Sequence, residues 1–148
     1  MYKHILIATD GSKLADKGLS HGLGLAKALK AKVTIVTATE PWSSLTMAHE
    51  AERMKPNPIQ HYEETVGAAA KKILAAAETA AKKSGVDYKC VHIADTHPAE
   101  AIADTAASKR CDLIVMTSHG RRGVKRVLLG SVASEVLGNS TVPVLIVR

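Results

Sequence analysis

Five short apolar runs, spaced so that a longer patterned stretch follows each of the first four, constrain the fold of this chain more than any other feature of it. They are Tyr2 to Thr9, Val33 to Ala38, Tyr88 to Ile93, Asp112 to Thr117 and Val142 to Val147. Apolar runs this short, bounded by turn residues, read as strands covered on both faces. The stretches between them carry helix signals. Ser12 is placed to cap a helix over Lys13 to Lys30, with Ala15, Leu19, Gly22, Leu23, Ala26 and Leu29 on its apolar face. Asn57 followed by Pro58 opens a long helix that stops near Ser84-Gly85. Pro98 starts a third helix reaching about Lys109, and a short fourth runs from Ser131 to Gly138. Strands alternating with helices imply a parallel sheet with right-handed crossovers and helices on both faces, a doubly wound α/β fold. The 148 residues suit a single domain, residues 1–148.

The hydrophobic fraction is 46% with only 3% aromatic residues and no Phe, so the core must come from Ala, Val, Leu and Ile. Gly18, Gly22 and Gly24 weaken the first helix, and close packing against the sheet is expected to compensate. In the long helix Ile59, Tyr62, Val66, Ala69, Ala70, Ile73, Ala77 and Ala80 recur at helical spacing, which predicts a core-facing stripe rather than part of a ligand site. Thr39 to Asn57, with Pro41, Trp42 and a short helix around Leu45 to Met54, reads as an excursion beside the sheet edge.

The net charge of +6 permits an anionic partner. Lys71, Lys72, Lys82 and Lys83 nevertheless fit solvated helix faces, and few aromatics are available to stack on bases, so no nucleic-acid partner is expected. Cys90 and Cys111 show no metal-ligand or disulfide spacing, and His49 and His61 are read as surface residues holding no metal. No run approaches the length of a membrane span and no leader precedes the first strand, so a cytoplasmic protein with no membrane partner is expected.

The chemistry concentrates between Val115 and Ser131. An apolar strand breaks into a basic loop holding Arg121, Arg122, Lys125 and Arg126, with no acid between Gly120 and Gly130. A helix starts near Ser131. Glycines allow backbone N–H groups to approach a ligand closely, and a helix start aims unpaired N–H groups and its positive end at an anion. Asp10 stands at the carboxyl end of the first strand, the edge at which open parallel sheets bind ligands. Doubly wound connectivity brings it beside Gly120 and Gly130.

Over nearly its whole length the chain resembles the universal stress protein family. The resemblance is carried by Ile5-Leu6-Ile7-Ala8-Thr9-Asp10-Gly11-Ser12, by His97-Pro98-Ala99-Glu100-Ala101-Ile102, by Ser118-His119-Gly120 and Gly130-Ser131-Val132 with nine residues between the two glycines, and by Val142-Pro143-Val144-Leu145-Ile146-Val147. It implies a flavodoxin-like sheet in the order 3-2-1-4-5 and a homodimer; that order places the apolar run Val144 to Val147 at a sheet edge, so the homodimer is expected to form through the fifth strand. One branch of the family binds ATP through the pattern Gly-x2-Gly-x9-Gly-Ser/Thr. This chain supplies Gly120, Gly130 and Ser131, with Thr117 in place of the first glycine.

Carried over residue by residue, the resemblance implies that Ala8, Thr9 and Asp10 line the adenine and ribose side, with Asp10 near phosphate-bound magnesium. Ala38 and Met116 would meet adenine with their backbones. Gly120, Gly130, Ser131 and Val132 would wrap the phosphates, with Thr117 and Arg121 completing the site. The expected function is an ATP-binding regulatory module of the stress response acting on an unidentified protein partner. The alternatives are a dimeric interaction protein that binds no nucleotide, and a slow ATP hydrolase. No Walker lysine is present, since Lys125 is not followed by Ser or Thr, so efficient hydrolysis is not expected.

Overall fold

The computed structural model describes the chain except for Lys55, residues 122–127 and the side chain of Glu50. The elements follow in the order β1 His4–Ala8, α1 Lys13–Leu29, β2 Lys32–Ala38, α2 Ser44–Glu52, α3 Pro58–Ser84, β3 Tyr88–Ile93, α4 Pro98–Ser108, β4 Leu113–Thr117, α5 Ser131–Asn139 and β5 Val144–Val147. All strand pairs are parallel, in one five-stranded sheet of order β3-β2-β1-β4-β5. The expected doubly wound architecture is therefore the one observed.

Alternation along the strands divides the core into two layers. Ile5, Ile7, Val33, Ile35, Leu113 and Val115 pack with Leu19, Leu23 and Ala26 of α1 and Ala77 and Ala81 of α3. On the other face Leu6, Val36, Ile114 and Met116 pack with Ala99, Ile102 and Ala106 of α4 and Ala133 and Val136 of α5. Burying both faces is why the strand sequences are continuously apolar.

The caps form largely where the residue chemistry places them. The Ser12 and Asn57 side chains accept hydrogen bonds from the backbones of Ala15 and Gln60, and Gly85 ends α3 in the left-handed region. Asp112 leaves the strand and uses both carboxylate oxygens on the amides of Lys3 and His4, tying the start of β1 to the start of β4. Tyr2, Lys3, Val142 and Pro143 likewise lie outside the strands predicted to contain them. Close helix-to-sheet contact accounts for two of the three glycines in α1. A Cβ on Gly18 would lie 2.7 Å from Thr117 Cγ2 and one on Gly22 2.6 Å from Ile7 Cδ1, whereas nothing lies within 4 Å of one on Gly24. Gly24 is solvent-facing, contrary to expectation.

Strand order reverses between β1 and β4. The chain leaves β1 toward β2 on one side, and leaves β4 toward β5 on the other, so a crevice opens at the carboxyl ends of the central strands.

Candidate functional site

The crevice is a cleft of roughly 760 Å³ bounded by the ends of β1, β2 and β4, the exposed flank of α3 and the start of α5. That volume lies within the range of small-molecule sites, about 300–1,000 Å³. Ala8, Thr9 and Asp10 supply one wall, Ala38 another, and Met116, Thr117, Gly120 and Arg121 the loop after β4. Gly130, Ser131 and Val132 supply the far rim. All the residues singled out from the sequence as a candidate site therefore line one cleft. Arg122, Lys125 and Arg126 of the basic loop lie outside the described residues.

At the β1 end the turn is built by its own side chains. Thr9 Oγ1 accepts from the Gly11 amide at 3.2 Å, and Asp10 Oδ1 from the Ser12 amide at 2.9 Å. Gly11 has φ +74°, and a Cβ there would sit 2.6 Å from Ile73 Cγ1, so both conformation and space require glycine. The second oxygen of Asp10 reaches across the cleft, accepting from the Arg121 amide at 2.7 Å. Arg121 Nε donates in turn to the Asp10 carbonyl at 2.8 Å. These contacts press Gly120 onto the carboxylate: a Cβ on Gly120 would lie 2.6 Å from Asp10 Oδ2.

At the α5 end the Gly130 amide donates to the Ser118 carbonyl at 2.7 Å, closing the long loop on itself. A Cβ on Gly130 would meet that same carbonyl oxygen at 2.9 Å, a backbone atom that cannot swing aside. Gly130 occupies the N-cap position and makes no side-chain capping bond. Ser131 is the first residue of the helix. The first turn of α5 thus presents backbone N–H groups to the cleft with no side-chain cap on them, an arrangement suited to an anion.

Apolar side chains make up much of the remaining wall, Val36 and Met116 at the strand ends, Ile102 of α4, and Val66, Ala69 and Ile73 on α3. Tyr62 OH donates to the Glu40 carbonyl at 2.9 Å, and burial, with Glu40 and Asp95 nearby, pushes its acidity to higher pH, so it stays a neutral donor. No cluster of three metal-ligating side chains occurs among the described residues.

The sequence profile described as "Universal stress protein family" matches residues 1–148. The chain belongs to the universal stress protein family. Universal stress protein YxiE of Bacillus subtilis is 35% identical, with all of both chains covered. Among solved structures, universal stress protein UspA from Lactobacillus plantarum shares 23% identity at a TM-score of 0.81, covering 99% of this chain and 98% of that one, which supports the fold. A universal stress protein in complex with cAMP is 26% identical at a TM-score of 0.72, covering 99% and 97%.

In this universal stress protein the stripe on α3 proves to be two surfaces. Ala77 and Ala81 are buried in the core, whereas Tyr62, Val66, Ala69 and Ile73 are half-buried or exposed and line the cleft together with the buried Ala70. Expecting all of them to face the core was wrong. α3 runs far enough to pass the end of the sheet, so one apolar stripe packs on strands along one part and walls a cavity along another. Only the length of the helix, greater than any strand it covers, signals this in the sequence. Thr39 and Glu40, placed in the excursion after β2, also line the cleft, while α2 packs on α3.

Proposed function

We propose that this universal stress protein is a regulatory module of the stress response that binds ATP with magnesium in the cleft. The observation that carries the reading is the start of α5. Its amides have no side-chain cap, and it opens beside two glycines on which a Cβ would collide, at one end of an apolar-walled cavity. Phosphates need N–H groups and a helix start, and adenine needs apolar walls with backbone edges. The two ends of the cleft supply these separately. The solved relative in complex with cAMP supports an adenine nucleotide as the class of ligand.

In this reading Gly120, Gly130, Ser131 and Val132 hold the phosphates, and Ala38 and Met116 face the base. Thr9 and Ala8 lie between. Asp10 serves a phosphate-bound magnesium through the lone pairs that its bonds to Ser12 and Arg121 leave free. Magnesium would neutralise phosphate charge; the chain binds and orients the nucleotide. A cytoplasmic location and an unidentified protein partner belong to the same proposal.

Titration calorimetry with Mg-ATP tests it. Ser131→Ala removes a hydroxyl from an exposed position, and a hydrogen bond to a charged group contributes about 1.5–3 kcal/mol, so affinity should fall on the order of tenfold or more. Arg121→Gln with Arg122→Gln should cost less and lose its effect in high salt, because exposed charges are screened beyond about 8–10 Å. If the arginine pair outweighs Ser131 and salt removes most of the binding, the cleft is a diffuse anion patch and the proposal fails.

A further inference from the structure

Thr117 is the position at which this chain departs from the ATP-binding glycine pattern. Its surroundings give the departure a purpose. Thr117 ends β4 and continues the face of Leu113 and Val115, so alternation directs its side chain toward the α1 layer. There it meets Gly18, whose missing Cβ leaves room for its methyl: a Cβ on Gly18 would fall 2.7 Å from Thr117 Cγ2. One helical turn later Gly22 leaves the same room beside Ile7 and Val115. A helical step of four residues rises about 6 Å, close to the roughly 6.6 Å between same-face residues of a strand. The paired notches therefore track the strand residues beneath them. Thr117 is 8% exposed and its φ is not positive, so the backbone at this position does not require glycine.

The hydroxyl of Thr117 has a separate partner. Oγ1 donates to the His119 carbonyl at 2.8 Å, closing a turn over Ser118. That turn sets the peptides on which the phosphate end of the cleft depends. The Ser118 carbonyl receives the Gly130 amide, and beyond His119 the Arg121 amide meets Asp10.

We infer that Thr117 is a positioning residue for nucleotide phosphates: its methyl docks in the Gly18 notch and its hydroxyl pins the loop after β4 in the binding shape. The inference rests on the nucleotide reading of the cleft. It adds that Gly18, on a helix remote from the phosphate loop in sequence, controls affinity through Thr117. The first glycine of the pattern is replaced here by a docked threonine that orders the loop.

The test uses the full chain, with Mg-ATP affinity and melting temperature measured on each variant. Thr117→Val keeps the shape and removes the hydroxyl, so affinity should fall about fivefold, the equivalent of one net hydrogen bond. Thr117→Ser keeps the hydroxyl but empties the Gly18 notch, so it should lose less affinity than Thr117→Val. Gly18→Ala pushes the threonine out of its notch and should weaken binding about tenfold. The double variant Gly18→Ala with Thr117→Ser moves one methyl group from the strand to the helix at constant volume and should restore binding. If Thr117→Val melts at a lower temperature but binds ATP undiminished, Thr117 is only a packing residue and the inference is overturned. A folded Gly18→Ala variant that the serine fails to rescue overturns it as well; should Gly18→Ala not fold, Thr117→Val decides. A wild type that binds no Mg-ATP removes the nucleotide reading itself, an outcome distinct from binding that is indifferent to Thr117.

Discussion

His4 shows how far one residue's surroundings can set a property of the whole domain. It lies at the opposite end of the sheet from the cleft, buried, with Nε2 at 2.8 Å from Thr34 Oγ1 and Nδ1 without a partner among the described residues. Burial first, then the nearby Lys32 ammonium, lower its pKa, against a smaller opposing pull from Asp112. The unfolded chain protonates this histidine near pH 6.5 and the folded chain only at lower pH. Its contribution to stability is therefore complete above about pH 6.5 and is lost as pH falls from there toward the folded value. The melting temperature should drop more steeply between pH 7 and pH 5 in the wild type than in His4→Gln. Equal slopes would show that His4 is not the group responsible. Cys111, close by, is held as a neutral thiol, its pKa pushed up to about 11 chiefly by burial and then by Asp112.

Among the elements, α1 carries the sharpest contrast between what a sequence shows and what it conceals. Its cap at Ser12 and its face through Ala15, Leu19, Gly22, Leu23 and Ala26 are legible, because capping chemistry and spacing are local. Whether a glycine is a notch or a weakness is not local. Gly18 and Gly22 lie under strand side chains from β1 and β4, and Gly24 faces solvent. Gly24→Ala should therefore stabilise the domain by about 0.5–1 kcal/mol, raising the melting temperature roughly 2–4 °C per kcal/mol without altering Mg-ATP affinity. A destabilised variant would mean that α1 meets a surface at Gly24 that the fold does not show. The same distinction explains α3. Its start at Asn57-Pro58 and stop at Gly85 are written in cap residues, but the point where its apolar stripe leaves the sheet for the cleft depends on where β2 and β3 end. On the cleft's other sides the candidate residues were legible, since strand ends at a switch point and a glycine-bounded helix start are recognisable before any tertiary contact is known.

For the whole molecule two claims follow from sheet order. β5 is an edge strand, and its four residues are only half-buried. The carbonyls of Pro143 and Val147 face β4, so alternation turns the amides of Val144 and Ile146 to the open side. An apolar edge of this kind is normally paired, which is the basis for proposing a homodimer through β5. Ile146→Pro removes an outward donor while sparing the β4 ladder, and proline is tolerated on edge strands. Light scattering should show a dimer for the wild type and a monomer for the folded variant; a monomeric wild type contradicts the proposal. The second is the central proposal, that the crevice opened between β1 and β4 holds a nucleotide. A ligand at about a hundred times its dissociation constant adds roughly 2.7 kcal/mol to the stability of the state that binds it. For a domain of this size that amounts to a rise of roughly 5–10 °C in melting temperature. Thermal unfolding with and without saturating Mg-ATP measures it directly: the account predicts that rise, and a midpoint left unmoved by millimolar Mg-ATP contradicts it.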